Sequence, residues 1–509
     1  MQVEREIKFS LTPDAARRVT RLVAAAGPWR RRMVSSAYYD TANERLRRAG
    51  VALRYRRDGA RRLQTLKVES AAAAGFSARA EWEMPAPRGR FDVAAFPREE
   101  ILAATGLDVA RLTTRLRPMF ETRFARRSAP VIIDGATRAE IALDRGYVVA
   151  GKRREPVSEL ELELKAGDAK SFLRYASGIA KPLGLELEFE SKAERGYRLV
   201  AGETAPRPRK WRRPPLAELA APSQAFSAVF TAALAQAGAN ARGVARGADP
   251  EYLHQMRVGL RRLRSALLAF RDLVPKKAAQ PLVERLRALM PALGAARDWD
   301  VFCDGLVQMG TQQPERAPAM APLLARARAK RSAARRRARD VAASTELQAF
   351  LLRALRWINA ARWKGRAASA EGALGAFAAQ SLDRLHRKAL KQAHGIDWND
   401  AERRHRLRIR MKRLRYACDF FAASFAGAAA QPYGKRLAAL QDILGGLNDI
   451  AVARRLLAEL APRGSAPELA AAAAHVRHAL AARERMLVIS LGAAWVAFEK
   501  RPPFWRARG

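Results

Sequence analysis

A chain of 509 residues is about three times the usual single-domain length, so at least two independently packed units are expected. Its 94 Lys and Arg against 50 Asp and Glu leave a net charge of +44, a field that draws polyanions and repels cationic partners. With 49% hydrophobic residues the chain can bury large cores, which excludes a disordered basic tail. Cys303 and Cys418 can build neither a disulfide framework nor a paired zinc spacing, which points to a reducing, cytoplasmic compartment. The start at Met1 alternates charge and is no signal peptide. The longest nearly uncharged apolar stretch, Met486 to Phe498, falls short of the roughly 18 to 20 residues of a membrane span, so no membrane association is expected.

Residues 1–201 alternate with period two in short segments, which predicts strands over Val3–Phe9, Val51–Arg57, Leu63–Val68, Ala78–Met84, Val131–Ile133, Glu140–Leu143, Tyr147–Ala150, Ser158–Lys165 and Leu185–Glu190. In strand after strand the charged residues share one face and Val, Ile, Leu and Phe the other. One such strand has a wet face; a whole set predicts charged faces converging in a closed barrel with a polar lumen. Pro206, Pro208, Pro214 and Pro215 among five cations mark a linker over 202–216, because closely spaced prolines block both helix and ladder.

From 217 to 505 the period turns helical. His254, Arg257, Val258, Leu260, Arg261 and Arg262 open a motif that returns at His405, Arg408, Ile409, Met411, Lys412 and Arg413, an offset of 151. Leu293-Gly294 and Asp298 return as Leu444-Gly445 and Asp449 at the same offset. Two matches at one offset predict a duplicated helical unit, about 217–365 and 366–505. The charge divides unevenly: 39 basic and 26 acidic residues in 1–200 leave +13, and the remaining 55 and 24 leave +31.

In the first half Glu4, Glu6 and Lys8 alternate onto one face, as do Glu159, Glu161, Glu163 and Lys165. Neighbouring carboxylates repel by about 0.2–1 kcal/mol per pair unless a cation lies among them, and Mg²⁺ or Mn²⁺ suits an all-oxygen set. The same alternation adds Arg54, Arg56, Lys67, Arg79 with Glu81 and Glu83, Arg123 after Glu121, and Asp144. Both signs in one lumen fit a metal–polyphosphate complex, with carboxylates on the metal and Arg and Lys on phosphate oxygens. Cross-strand salt bridges on a solvated face are the plainer alternative, and would mix Thr, Ser and Gln among the charges.

Glu4-x-Glu6-x-Lys8, Tyr39-Asp40-Thr41, Leu53-Arg54-x-Arg56, Leu66-Lys67, Arg79-x-Glu81-x-Glu83, Leu143-Asp144-x-Gly146, Ser158 to Glu163 and Ser191-Lys192 together resemble the CYTH family, the triphosphate tunnel metalloenzymes. The resemblance covers roughly 1–200. It implies an eight-stranded antiparallel tunnel and divalent-metal-dependent work on triphosphates. By position it makes Glu4, Glu6, Glu159 and Glu161 metal ligands and, together with Lys8, catalytic residues, with Asp144 and Glu163 beside them as ligands. Lys8, Arg54, Arg56, Lys67, Arg79, Arg123 and Lys192 would contact phosphate. With no P-loop, no Rossmann glycine set and no base-reading pocket in evidence, an inorganic chain is favoured.

In the second half His254, Arg257, Arg261 and Arg264 fall within roughly an 80° arc of one helix, and His405, Arg408, Lys412 and Arg415 repeat the stripe. Arg262 and Arg413 lie beside them. Leu253, Met256, Leu260, Leu263, Leu267 and Phe270 form the adjoining buried arc. Four cations on one face repel each other, so a polyanion is expected there. These motifs resemble the CHAD domain over roughly 217–505, which implies inorganic polyphosphate as ligand for those ten residues. The leading expectation is an inorganic triphosphatase acting on triphosphate or short polyphosphate, joined to a polyphosphate-binding domain and associated with polyphosphate granules. A non-catalytic polyphosphate-binding protein and a nonspecific nucleic-acid binder are the alternatives.

Overall fold

The computed structural model describes residues 2–24, 29–68, 76–86, 91–214, 216, 221–247, 249–360, 373–425 and 430–506, without the side chains of 2, 3, 22–24 and 77–79. The Arg79 side chain, Pro215 of the linker and the repeat boundary expected near 365 lie outside the described residues. The chain forms two compact units. The first is Met1–Arg212 with Leu234–Ala239 and Thr345–Ala361; the second is Arg213–Ala233, Asn240–Ser344 and Arg362–Gly509.

The first unit is built on an antiparallel sheet of β1 (Gln2–Ser10), β2 (Arg30–Asp40), β3 (Val51–Asp58), β4 (Arg61–Val68), β5 (Phe76–Pro85), β6 (Arg117–Ile132), β7 (Arg138–Ala150), β8 (Arg153–Ala166) and β9 (Glu186–Leu187). The order is β5-β4-β3-β2-β6-β7-β8-β1-β9, and a further pairing of β5 with β1 closes eight of the strands into a ring. Closure satisfies every edge except the one β9 extends.

The strand pattern departs from expectation at four places, one of them the last segment, where only Glu186–Leu187 of Leu185–Glu190 is strand. Arg30–Asp40 is a full strand although its run of three arginines and two serines hides the alternation. Likewise β6 runs the whole of Arg117–Ile132, where only Val131–Ile133 was expected, and the two segments on either side of Arg145 are one strand, β7. Gly146 explains that continuity, since a Cβ there would strike the Phe124 backbone at 2.4 Å, so the glycine lets β6 and β7 close.

The alternating faces separate as expected. Ile7, Phe9, Leu160 and Leu162 are fully buried on the face away from the lumen, and α4 (Ala169–Leu183) packs on β8 with Phe172, Leu173 and Ala176 buried. A second apolar cluster joins Leu53, Leu66 and Trp82 to Ile101 and Leu112. Three more helices belong here: α1 (Pro13–Ala24), α2 (Arg45–Arg48) and α3 (Arg98–Thr105). A fifth, α5 (Lys192–Val200), opens on a capping box between Ser191 and Glu194, which fixes where Lys192 enters.

The helices that follow are α6 (Pro222–Arg246), α7 (Pro250–Ala269), α8 (Lys276–Gln312), α9 (Ala317–Ala343), α10 (Thr345–Asn359), α11 (Leu374–Ala393), α12 (Ala401–Phe421), α13 (Ala430–Leu460) and α14 (Pro467–Glu499). The duplication extends to the caps. Asp249 caps α7 and Asp400 caps α12, each accepting a backbone N–H of the first turn, at the same offset of 151. On α7 the arc Leu253, Met256, Leu260, Leu263, Leu267 and Phe270 is buried throughout. One helix of this stretch, α10, belongs to the first unit: it packs on α4, and the Gln348 side chain accepts the Leu187 N–H at 3.2 Å. No described helix is long and apolar enough to cross a membrane.

Candidate active site and polyanion site

The strand ring encloses a cavity of about 380 Å³ whose lining is mostly charged. Its charges are largely sorted by strand, with Lys8 and Lys165 among the carboxylates and Asp58 among the guanidinium groups. Glu4 and Glu6 on β1, Glu140 on β7, and Glu161 and Glu163 on β8 make one arc. Arg30 and Arg32 on β2, Arg54 and Arg56 on β3, Arg61 and Lys67 on β4 make another. In an eight-membered ring of this order β1 stands opposite β2 and β8 opposite β3, so a carboxylate wall faces a guanidinium wall.

The walls meet through a few bridges. Lys8 Nζ lies 3.1 Å from Glu6 and 3.1 Å from Glu161; Lys67 Nζ lies 2.6 Å from Glu4 and 3.2 Å from Glu81. Burial raises the Glu161 carboxyl, but Lys192, Lys8 and Arg126 overcome it and hold the group well below the usual range. Glu4 is lowered by Lys67 against burial in the same way. Glu163 goes up, through burial and the nearby Glu4, in spite of Lys165 at 2.6 Å. On the other wall burial, Arg54 and Arg126 bring Arg56 down to about 10. Glu163 on one wall and Arg56 on the other are thus the groups whose charge is least relieved.

Beneath the cavity lies a closed floor. Asp144 and Glu159 share the lumen-facing phase yet are 0% and 1% exposed. Arg126 holds Asp144 through two bonds of 2.7 Å, and Lys192 Nζ reaches Asp144, Glu159 and Glu161 at 2.9, 2.7 and 2.8 Å. Arg195 bridges Glu159 to Glu188 at 2.7 Å each. Charges so buried persist only when paired and hydrogen-bonded, and this network supplies both.

Of the residues expected to share a site, Glu4, Glu6, Lys8, Arg54, Arg56, Lys67, Glu161, Glu163 and Lys192 line the cavity. Arg123 does not. Its side chain is 64% exposed on the outer face of β6, paired with Glu121. The inner phase of β6 is Phe124 and Arg126, because the register sets Arg126 between Asp144 and Arg32. Arg126, Arg30, Arg32, Arg61 and Glu140 escape the sequence pattern; on β6 both phases carry arginine, so charge alternation cannot choose between them.

Glu4, Glu6, Glu161 and Glu163 offer only oxygen donors, the chemistry of a hard divalent cation. Glu6 and Glu163 are register partners on adjacent strands, and the raised Glu163 carboxyl marks charge that such a cation would relieve. As the side chains stand, no three acidic, histidine or cysteine side chains converge to hold a metal among the described residues; Lys8 and Lys67 take the carboxylate oxygens instead.

In the second unit the two stripes converge. Arg408 and Arg261 lie close enough, after burial, to bring the Lys412 ammonium down to about 7, and burial with Arg261 brings Arg257 to about 10. Arg257 Nη1, Arg261 Nε and Arg408 Nε are buried donors that find no acceptor among the described residues. A buried donor without a partner costs about 1–3 kcal/mol, so three in one place call for an anion. The halves differ at their histidines: His254 is lowered by burial and by Arg297, whereas His405 Nδ1 lies 3.2 Å from Asn448 Oδ1. Arg264 and Arg415 sit exposed at the end of each stripe. Arg262 turns to Asp419 at 3.4 Å over the Tyr416 ring, and Arg413 lies near both Arg410 and Arg264.

Comparison with known proteins accounts for both halves. The family description CYTH domain matches residues 2–197 and CHAD domain matches 228–458. An inorganic triphosphatase of Haemophilus influenzae is 26% identical over 171 residues, 33% of this chain; the chain spans 46% of that relative. The crystal structure of the CHAD domain from the plant Ricinus communis is 34% identical, covering 58% of this chain and 98% of that one, with a TM-score of 0.51. The Hippeastrum protein HpAC1, described as having a dominant triphosphatase activity, is 18% identical over 40% of this chain and 98% of its own, with a TM-score of 0.31. A tunnel of charged strands followed by a duplicated basic helical unit is therefore a CYTH domain followed by a CHAD domain, and the chain belongs to the proteins that carry this pair.

Proposed function

We propose that the tunnel hydrolyses inorganic triphosphate or short polyphosphate with Mg²⁺ or Mn²⁺, and that the helical unit binds long-chain polyphosphate. The division of the lumen into a carboxylate wall and a guanidinium wall carries this reading. Arg54, Arg56, Lys67 and Arg126 would take the phosphate oxygens, orienting the chain and stabilising charge on the leaving phosphate. Lys8, between Glu6 and Glu161, is placed to follow either a carboxylate or a phosphate oxygen. A divalent ion held by Glu4, Glu6, Glu161 and Glu163 would neutralise phosphate charge and polarise the phosphoryl group. Asp144 and Glu159 are better placed to fix Lys192 and Arg126 than to reach a ligand, since their oxygens already serve those cations.

The same lining argues against a nucleoside group. Its two aromatic rings are taken: Arg126 and Lys192 lie 5.5 and 5.1 Å from the Phe124 ring, and Arg54 lowers the Tyr38 hydroxyl against its burial. No lining ring is left for a base to stack on among the described residues.

Phosphate release from tripolyphosphate, ATP and long polyphosphate, each with Mg²⁺, Mn²⁺ or EDTA, tests the proposal. Tripolyphosphate should be cleaved faster than ATP, and EDTA should abolish both. Cleavage that survives EDTA removes the metal from the reading; preference for ATP removes the inorganic substrate.

A further inference from the structure

A second basic cluster lies in the helical unit, away from the stripes. Three helices meet at a small notch: the end of α7 brings Leu268 and Arg271, α11 brings Arg384, Leu385 and Lys388, and α12 brings Arg410 and Arg413. On α12, Arg410 and Arg413 are turned about 200° and 140° from Arg408 at 100° per residue, so they face away from the stripe.

Five cations thus surround two leucines. The neighbouring carboxylate Asp272 is already engaged by Arg384 and Arg271. Lys388, Arg410 and Arg413 have no ion-pair partner among the described residues. Burial and the fields of Arg271, Arg410, Arg384 and Arg413 hold the Lys388 ammonium below the usual lysine range. Arg413 is likewise lowered by burial, Arg410 and Arg264. Packing alone gives no reason to assemble such a set, because each member raises the cost of the others.

The duplication sharpens this. At the offset of 151, Arg384, Lys388 and Arg410 correspond to Ala233, Ala237 and Gly259, while Phe377 matches Phe226 and Leu385 matches Leu234. Leu268 instead meets Asp419, and of the five cations only Arg413 corresponds to another cation, Arg262; the other four meet Ala or Gly. The notch is therefore no by-product of the repeated motif.

We propose that this notch binds a single tetrahedral phosphoryl group, either free orthophosphate or the end group of a phosphate chain, as a site separate from the duplicated stripes. The notch has about 10 Å³ of accessible room, enough to seat one oxygen of such a group, and its Arg and Lys donors match phosphate oxygens. Nothing in it depends on the tunnel's activity.

Acetylation of Lys388 by acetic anhydride, read by peptide mass spectrometry on the full chain, tests the site. A bound phosphoryl group both covers the amine and favours its proton, so orthophosphate should slow Lys388 acetylation relative to chloride at matched ionic strength. Protection should reach about tenfold when the anion is at about ten times its Kd. Exposed Lys277 should keep its rate. In Arg410→Gln, with unchanged unfolding temperature and tripolyphosphatase activity, Lys388 should lose the protection. Equal slowing at Lys388 and Lys277, no slowing, or full protection in Arg410→Gln overturns the site. Polyphosphates of several lengths at equal phosphate-unit concentration separate the sources. Protection that follows chain ends identifies the end group, and protection by orthophosphate alone identifies the free ion. Protection that follows total units whatever the length overturns the single-group site.

Discussion

A Cβ on Gly294 of α8 would lie 2.9 Å from Nη1 of Arg257 on α7, so the glycine of the repeated Leu-Gly motif leaves the room in which that guanidinium sits. Its counterpart Gly445 has open space where a Cβ would stand. Gly294→Ala and Gly445→Ala should each recover some helix stability, about 0.5–1 kcal/mol, but only the first displaces Arg257. Polyphosphate binding should weaken about fivefold in Gly294→Ala, an effect of order 1 kcal/mol, and hold in Gly445→Ala. Titration calorimetry of the two variants decides it; equal affinities would show that Arg257 does not contact the chain.

In the tunnel the contrast lies between neighbours on one strand. Arg126 faces the lumen and binds Asp144 and Glu161, whereas Arg123 points outward. Arg123→Ala should leave tripolyphosphate turnover within about twofold. Glu6→Gln, which removes one charge at constant shape, should lower turnover by orders of magnitude while the circular dichroism spectrum is kept. Full activity in a folded Glu6→Gln protein would falsify the carboxylate wall as the catalytic one.

Binding to the stripes should depend on pH through Lys412. Its neighbours are Arg408 on its own helix, Arg257 and Arg261 from α7, and Asp449 from α13, the one acid of these four. With a pKa of about 7 in the free protein, Lys412 is charged below that pH and neutral above it. A bound polyanion favours the charged form, so above pH 7 the complex takes up a proton and affinity falls as pH rises. His254, lowered by burial and Arg297, is neutral across this range. The dissociation constant should rise about tenfold from pH 7 to 8.5, and Lys412→Arg should flatten the profile. A wild-type profile as flat as the variant's rules Lys412 out.

A chain ended at residue 201 should be less stable than its half of the intact protein. It lacks α10, whose Leu347, Phe350, Leu351, Leu355 and Ile358 are buried, and the stretch where Gly238 meets the Phe189 ring. Losing even two such contacts, at about 1.5–3 kcal/mol for each large side chain, should lower the unfolding midpoint by at least about 5 °C. Differential scanning calorimetry of the fragment, with and without residues 345–359 fused behind it, measures this. An unchanged midpoint would mean that α10 only rests on α4.

Local periodicity was enough to identify much of this protein. Residues two apart on a strand must share a face, so Glu4, Glu6 and Lys8, or Glu161 and Glu163, could be grouped before any contact was known. A repeat at 151 residues shows in the sequence because each half builds the same helices with the same buried arc, down to Asp249 and Asp400 at the caps. The resemblance to the two families rested on those same residues.

Tertiary structure decided what periodicity leaves open. Where both phases of a strand carry charge, as at Arg123 and Arg126, only the partners across the register choose which phase turns inward. Asp144 and Glu159 share the lumen phase with Glu161, yet α5 arrives from elsewhere in the chain and closes over them with Lys192 and Arg195. The approach of Arg413 to Arg264, and the docking of α10 on α4, likewise depend on elements far apart in sequence. Spacing determines which residues of one element travel together; the free energy of burying or pairing a charge depends on what other elements bring to it, and that only the folded chain defines.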